Sequence, residues 1–398
     1  MGYAEKVFAL SQEIAGLRDG RRRPRIATGV VVRSLLAMFL ARIGSLHALS
    51  QTRRSRFWQR WLGAALPSAD TLGRVPETLE AEALRQILGR LYTRLKRNKA
   101  LAPTAGGLTA LVLDGHESHA SYRRWCPGCC QRSVRTAQGE QVQSYHRWVT
   151  AMLLAGEQRL WLDCEPQRPG EDEVAAALRL LARVLDRLPR AFDVVVGDAL
   201  YTDPRVYQLL DRRGKDVLTV LKNEQRELLQ DARSLFGQLA PLELAAGCRA
   251  WDQDGFTTWP QVGRPVRVVC TDETRQVRRQ RDRTQTTLRS EWAWVTTLSP
   301  ARAATAAVVR LGHARWEIEN QGFNEMVTRW PADHVYRHHP MAMLVFWLLA
   351  MLAFNLFFAF ARRNLQPELR QRLTYLHLAR CLATEIYSGL DLPASRAP

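Results

Sequence analysis

Residues 341–361 (MAMLVFWLLAMLAFNLFFAFA) are apolar except for Asn355, and Arg362 and Arg363 follow at once. A run of about 20 such residues leaves two options: a helix that crosses a bilayer, or a helix buried on every side inside a large folded body. The choice rests on whether the rest of the chain can wrap it. At 398 residues the chain is long enough for two or three domains and a sizeable core. The run would be the only span, two histidines precede it, and MGYAEKVFALSQE at the start lacks a signal-like apolar region. The reading adopted is a buried helix, no membrane partner, and a reducing cytoplasmic compartment, consistent with seven cysteines, an odd number.

Up to residue 100 the pattern is helical. Residues 29–49 and 77–97 carry apolar side chains at helical spacing, and PSADTLGR between them offers Ser68 or Asp70 as an N-cap. The loop-like LAPTAGG (101–107) ends this region. Beyond it, TALVLD (109–114), YHRWVTAMLLA (145–155) and QRLWLDCE (158–165) read as strands. Then come a helix over 170–188 with acidic residues at its start, a strand at 192–198, a helix at 205–214 and a strand at 215–222. The first three strands can pair as antiparallel hairpins, whereas the later strand–helix–strand unit requires a right-handed parallel crossover. The expected architecture is α/β with a mixed sheet and flanking helices. Residues 240–298 form a β-rich, tryptophan-containing insertion, and one long helix is expected from about 302 to 327. The expected domains are 1–100 (helical), 105–335 (the α/β core with its 240–298 insertion) and 336–398 (helical).

Two acidic residues occupy matching places: Asp114 ends TALVL, and Asp198 follows FDVVV by one glycine. A carboxylate at the end of a buried strand is costly unless it is paired, hydrogen-bonded or bound to a metal. Either aspartate alone is an ordinary turn residue, and Asp114-Gly115 is a common turn dipeptide. A third acid lies in HARWEIENQGF (313–323), where Arg315 and Glu319 are four apart and share a helix face. Glu317 lies about 200° around that helix from Glu319, so at most one of the two faces the core.

An Asp on the first strand, an Asp ending a later strand and a Glu on a following helix is the pattern of the RNase H-like fold. GDALYTDP and RWEIEN resemble the segments that carry the second Asp and the Glu in DDE transposases of bacterial insertion sequences. The 121 positions from Asp198 to Glu319 leave room for the β-rich insertion of one large class of these enzymes. PSADTLGR and the apolar helix ending FNLF also look like that class. The resemblance implies a metal-dependent enzyme that cuts and rejoins DNA at the terminal inverted repeats of an insertion sequence, acting as a homodimer on DNA in the bacterial nucleoid. It assigns catalysis and the binding of two Mg²⁺ or Mn²⁺ ions to Asp114, Asp198 and Glu319, because hard divalent ions prefer oxygen ligands. The class often carries Tyr, Arg, Glu and Lys at fixed spacing. Arg315 and Glu319 match, whereas the Tyr position is Gly312 and the Lys position is Met326. Arg329, one turn further on, is the substitute candidate for phosphate contact. Lys222 and Trp259 complete the expected DNA-binding set, Trp259 as the counterpart of a base-stacking Trp or as part of the insertion's own core. Two alternatives share the chemistry: a nuclease without strand transfer, and an inactive DNA-binding derivative.

Charge fits a polyanion partner. Lys and Arg number 57 against 39 Asp and Glu, a net charge of +18. It is clustered at Arg21, Arg22, Arg23 and Arg25, at Arg53, Arg54, Arg56 and Arg60, and in the arginine-rich run 275–289. Finally, Cys126-Pro-Gly-Cys129 is a C-x-x-C turn of the kind used in zinc knuckles. Two more ligands are needed, from among Cys130, His116, His119 and His146; the expected set is Cys126, Cys129, His119 and His146 around a structural Zn²⁺. His116 has a second option, an approach to the catalytic metals or the substrate.

Overall fold

A computed structural model describes residues 2–222, 226–278, 285–388 and 390. Among them, ten strands form one mixed sheet: β1 (Ala110–Ser121), β2 (Cys130–Thr136), β3 (Gly139–Ala155), β4 (Gln158–Pro166), β5 (Val194–Gly197), β6 (Asp216–Val220), β7 (Leu242–Ala245), β8 (Cys248–Phe256), β9 (Val266–Arg278) and β10 (Gln285–Thr296). Their order is β2-β3-β1-β5-β6-β10-β9-β8-β7, and β4 also pairs with β3. β3 runs antiparallel to β1 and β4, while β5 runs parallel to both β1 and β6. This is the RNase H-like arrangement. The parallel centre is where the sequence is continuously apolar: all four residues of β5 are buried, as expected of a strand covered on both faces. The insertion does not form a separate body. β10 pairs antiparallel with β6, so β7–β10 lengthen the same sheet.

The N-terminal region is helical in shorter pieces than its periodicity suggests. The stretch 29–49 divides into Thr28–Leu40 and Leu46–Gln51, because Arg42 between them adopts a left-handed φ of 57°, which cannot continue a right-handed helix. Ser68 is the N-cap of the Ala69–Arg74 helix, accepting from the Thr71 amide at 3.2 Å. The second long stretch, 77–97, forms as Ala81–Arg97.

The apolar run is a helix, Pro340–Arg363, and 94% of its most apolar window is buried inside the protein. It packs on the Thr28–Leu40 and Ala81–Arg97 helices and on β4, and the hydrophobic core runs through all of these elements. Its one polar residue has a definite partner. Asn355 Oδ1 accepts from the Trp161 amide at 3.0 Å, and its Nδ2 donates to the Trp161 carbonyl at 2.8 Å. The side chain thus supplies, on the open side of β4, the hydrogen bonds that a further strand would otherwise provide.

The expected helix over 302–327 is interrupted. Thr305–Ala314 is α-helical, Ile318–Phe323 is a π-helical turn, and Asn324–Arg329 resumes the α-helix. Such π-turns are rare and concentrate at functional sites. Close packing holds this one in place: a Cβ on Gly322 would come within 2.7 Å of Met152 Cε and 2.8 Å of Trp161 Cζ2, so only glycine lets the turn lie this near the sheet.

Candidate active site

The β1–β5 register brings the two aspartates together. Val112 on β1 is the partner of Val196 on β5. Asp114 and Asp198 each lie two residues beyond those valines, where the parallel pairing ends, Asp114 within the longer β1 and Asp198 just past β5, and period-two alternation places both on one face. Binding sites in open α/β sheets form at such strand ends. Asp198 also caps a short 3₁₀ turn, accepting from the Leu200 amide at 2.9 Å. Asp114 accepts from the Gly115 amide at 2.9 Å.

Glu319 reaches the pair through Arg315. The Arg315 guanidinium, itself buried, lies 2.7 Å from Glu319 Oε1 and 3.7 Å from Asp114 Oδ2 through the same Nη1. Glu317 points elsewhere and pairs with Arg159 at 3.1 Å, as expected if only one of the two glutamates can face the core.

Burial is the main reason that the Asp114 carboxyl is pushed up to about 7. Arg315 opposes the shift, while the negative charges of Asp198 and Glu319 add to it. The three carboxylates therefore share one electrostatic environment in which a single buried cation under-compensates them. Such an oxygen-only donor set suits Mg²⁺ or Mn²⁺ and disfavours soft metals.

A fourth carboxylate, which the sequence reading passed over, lies near the two aspartates. Glu173 reads in sequence as a helix-start acid, and it does open the Glu173–Arg187 helix after Asp172, the N-cap. Its carboxylate accepts from Tyr201 Oη at 2.8 Å and pairs with Arg147 at 3.1 Å. A Cβ on Gly115 would overlap it, so glycine after Asp114 is what admits Glu173. Burial, with the Asp198 charge adding, raises the Glu173 carboxyl above the usual range.

His116, on the same strand face as Asp114, is taken up structurally. It stacks on Phe323 and Trp347 with centroids 4.7 and 5.4 Å away, and contacts Asp333 through Nε2 at 2.9 Å.

The other expected DNA contacts are distributed unevenly. Lys222 is exposed at a cleft of about 550 Å³ lined also by Arg233, Arg249, Trp251, Arg289 and Trp292. Trp292 stands edge-on to Trp316, whose exposed ring lies 4.1 Å beneath the Arg315 guanidinium, so a series of side-chain contacts links the cleft to Arg315. Trp316 was not singled out from the sequence. Trp259 is buried edge-on to Tyr207 with centroids 4.9 Å apart, as a member of the hydrophobic core rather than a free stacking face. Arg329 is half-exposed and paired with Glu325 at 3.2 Å. Arg22, Arg23 and Arg25 are exposed, as are Arg53, Arg54, Arg56 and Arg60, whereas Arg21 is paired with Asp19. Part of the arginine-rich run 275–289 lies outside the described residues.

The two departures from the class pattern have packing reasons. A Cβ on Gly312 would overlap the buried Trp294 indole, which occupies the space a tyrosine would need. Met326 is fully buried, where a lysine could reach no phosphate.

The expected zinc set needs one correction. Cys126, Cys129 and His146 do converge, but the fourth group is His338, from the segment before the Pro340–Arg363 helix, and all four ligand atoms lie within 4.8 Å of one another. His119 falls outside this group. The strand irregularity after Ser118 gives it a φ of 26°, and its ring lies 5.4 Å from that of His146. Cys130 turns away toward the Gln167 carbonyl at 3.7 Å.

Residues 106–356, more than half of the chain, match the family described as transposase DDE domain, and the chain belongs to that family. The match contains the three carboxylates, Arg315, both cysteines and both histidines of the Cys/His group. No curated protein matches the chain.

Proposed function

We propose that this DDE transposase binds the inverted-repeat ends of an insertion sequence and performs strand cleavage and strand transfer with Asp114, Asp198 and Glu319. The observation that carries the reading is the placement of Asp114 and Asp198 where the parallel β1–β5 pairing ends, with Glu319 joined to Asp114 through the buried Arg315. When bound there, two Mg²⁺ or Mn²⁺ ions would activate the attacking hydroxyl and stabilise the leaving oxygen of an in-line displacement at phosphorus. Asp114, Asp198 and Glu319 would hold them through their carboxylate oxygens.

The chain's own residues shape that site. Arg315 fixes the Glu319 carboxylate by a charge-assisted hydrogen bond and limits repulsion within the trio. Tyr201 and Arg147 fix the Glu173 side chain against Gly115, next to Asp114 in the chain. The exposed arginines of the N-terminal region and the Lys222 cleft supply positive charge for the DNA backbone. Trp316, exposed beside Arg315, offers a flat face to an unpaired base. A dimer on paired ends and a cytoplasmic, nucleoid-associated location belong to the same reading.

The test uses full-length protein with a DNA end and a target plasmid. Asp114→Ala, Asp198→Ala and Glu319→Ala should each abolish Mg²⁺-dependent nicking and joining, while end binding in a gel shift stays near wild type. Nicking retained in Glu319→Ala would overturn the assignment. Nicking without joined product in the wild type would leave a nuclease.

A further inference from the structure

We infer that Cys126, Cys129, His146 and His338 form a closed Cys₂His₂ zinc site that clamps the start of the core helix onto the paired strands β1 and β3. The distances carry the inference. Zn–S bonds of about 2.3 Å and Zn–N bonds of about 2.0–2.1 Å at tetrahedral angles require about 3.8 Å between two sulfurs and about 3.5 Å between sulfur and nitrogen. Cys126 Sγ and Cys129 Sγ are 3.6 Å apart. His146 Nε2 lies 3.2 Å from each sulfur, and His338 Nε2 lies 3.7 Å from Cys129 Sγ. Two imidazoles aimed at two thiols have no role in a disulfide, and the sulfurs are well beyond bonding distance. Thiolate and imidazole ligands select zinc over the hard ions suited to the carboxylates.

The surrounding backbone is built for the turn. The Cys129 amide donates to the Cys126 carbonyl at 2.9 Å, and the Cys126 amide donates to Cys129 Sγ at 3.3 Å. Gly128 lets the helix start approach, since a Cβ there would stand 2.9 Å from Pro340 Cβ. With four protein ligands the site has no open position, which marks it as structural rather than catalytic.

Its consequence reaches the active site. The ligands come from the turn after β1, from β3, and from a segment 209 positions after Cys129. That segment also supplies Asp333, which contacts His116, two residues from Asp114 on the same strand. The zinc would therefore fix the layer that packs against the catalytic strand.

The experiment measures metal in full-length protein grown with added zinc, dialysed without chelator and analysed by mass spectrometry of the elements. One zinc per chain is expected. His338→Ala and the Cys126→Ser/Cys129→Ser double variant should fall below a tenth of that, and His119→Ala should keep it all. Because losing a ligand can itself unfold the protein, two further measurements use folded material. The Co²⁺-substituted wild type should show the spectrum of a tetrahedral site with two thiolates, and His338→Cys should shift it to that of three. Zinc-free wild type, a Cys126–Cys129 disulfide in freshly purified protein, full zinc in His338→Ala, or zinc lost from His119→Ala would each overturn the proposal.

Discussion

Replacing Asn355 by leucine makes the most apolar helix of the protein more apolar still, and the prediction is that it destabilises the fold. Asn355 is 1% exposed and Trp161 0%. Both backbone groups of Trp161 depend on the Asn355 amide, at 2.8 and 3.0 Å. In Asn355→Leu the Trp161 N–H and C=O lose those partners where no water reaches. An unsatisfied buried polar group costs about 1–3 kcal/mol, so the pair costs about 2–6 kcal/mol. The added apolar side chain returns about 1.5–3 kcal/mol at most if it packs fully. At the midpoints of these ranges the expected net loss is about 2 kcal/mol, read as a lower urea midpoint and a melting temperature lower by a few degrees. Asn355→Asp should be worse, because it sets a carboxylate against the Trp161 carbonyl. In a bilayer the sign of the leucine variant would reverse, since leucine favours insertion there. A leucine variant as stable as wild type or more so would refute both the role of Asn355 and the reading of the helix as a soluble core.

Three further outcomes follow from particular contacts. Gly322→Ala must push the π-turn away from Met152 and Trp161 and so displace Glu319. Cleavage should fall by on the order of 10²-fold, since a shift of about 1 Å has that effect, with end binding in gel shifts unchanged; unchanged cleavage would separate the turn from the site. Gly312→Ala should cost about 1–3 kcal/mol by overpacking against Trp294, with part of the loss recovered when Trp294 is reduced to Phe, as urea midpoints of the single and double variants would show. Asp19, held at about 2 by hydrogen bonds from Arg21 and Thr28, contributes stability that is present above its unfolded value near 4 and lost as pH falls from there through 2. Asp19→Asn should therefore weaken the protein at pH 6 and flatten that acid limb in denaturation curves.

What the sequence makes legible here is whatever depends on neighbours along the chain. TALVLD and FDVVVGD display two buried strands with an acid at each end, and four-residue spacing couples Arg315 to Glu319. Adjacency of β1 and β5 is a property of the sheet, and the Val112–Val196 register that aligns the aspartates has no local signal. Glu173 has the same difficulty, because an acid in the first turn of a helix satisfies the helix dipole wherever that helix lies. His338 is harder still. His119 and His146 are nearer to the cysteines in sequence, but the irregularity after Ser118 carries His119 out of the group, and the packing of the core helix brings His338 in across 209 positions. The break in the long helix is equally tertiary, set by the space that Met152 and Trp161 leave for Gly322.

The same logic bears on the two departures at Gly312 and Met326. Had the tyrosine and lysine been lost by drift from an abandoned site, their places would be expected to be vacant or exposed. Instead Trp294 fills the volume above Gly312 and is itself buried on β10, while Met326 is closed into the core beneath the Glu319 turn. Arg315 and Glu319, which share that helix segment, keep their contact at 2.7 Å. The packing around Gly312 and Met326 is therefore closed, and the Arg315–Glu319 contact persists beside it. Trp292 and Arg289 on β10 and Arg249 on β8 line the cleft entered beside Lys222, so the strands that the insertion adds to the sheet bring basic and aromatic side chains to one cleft.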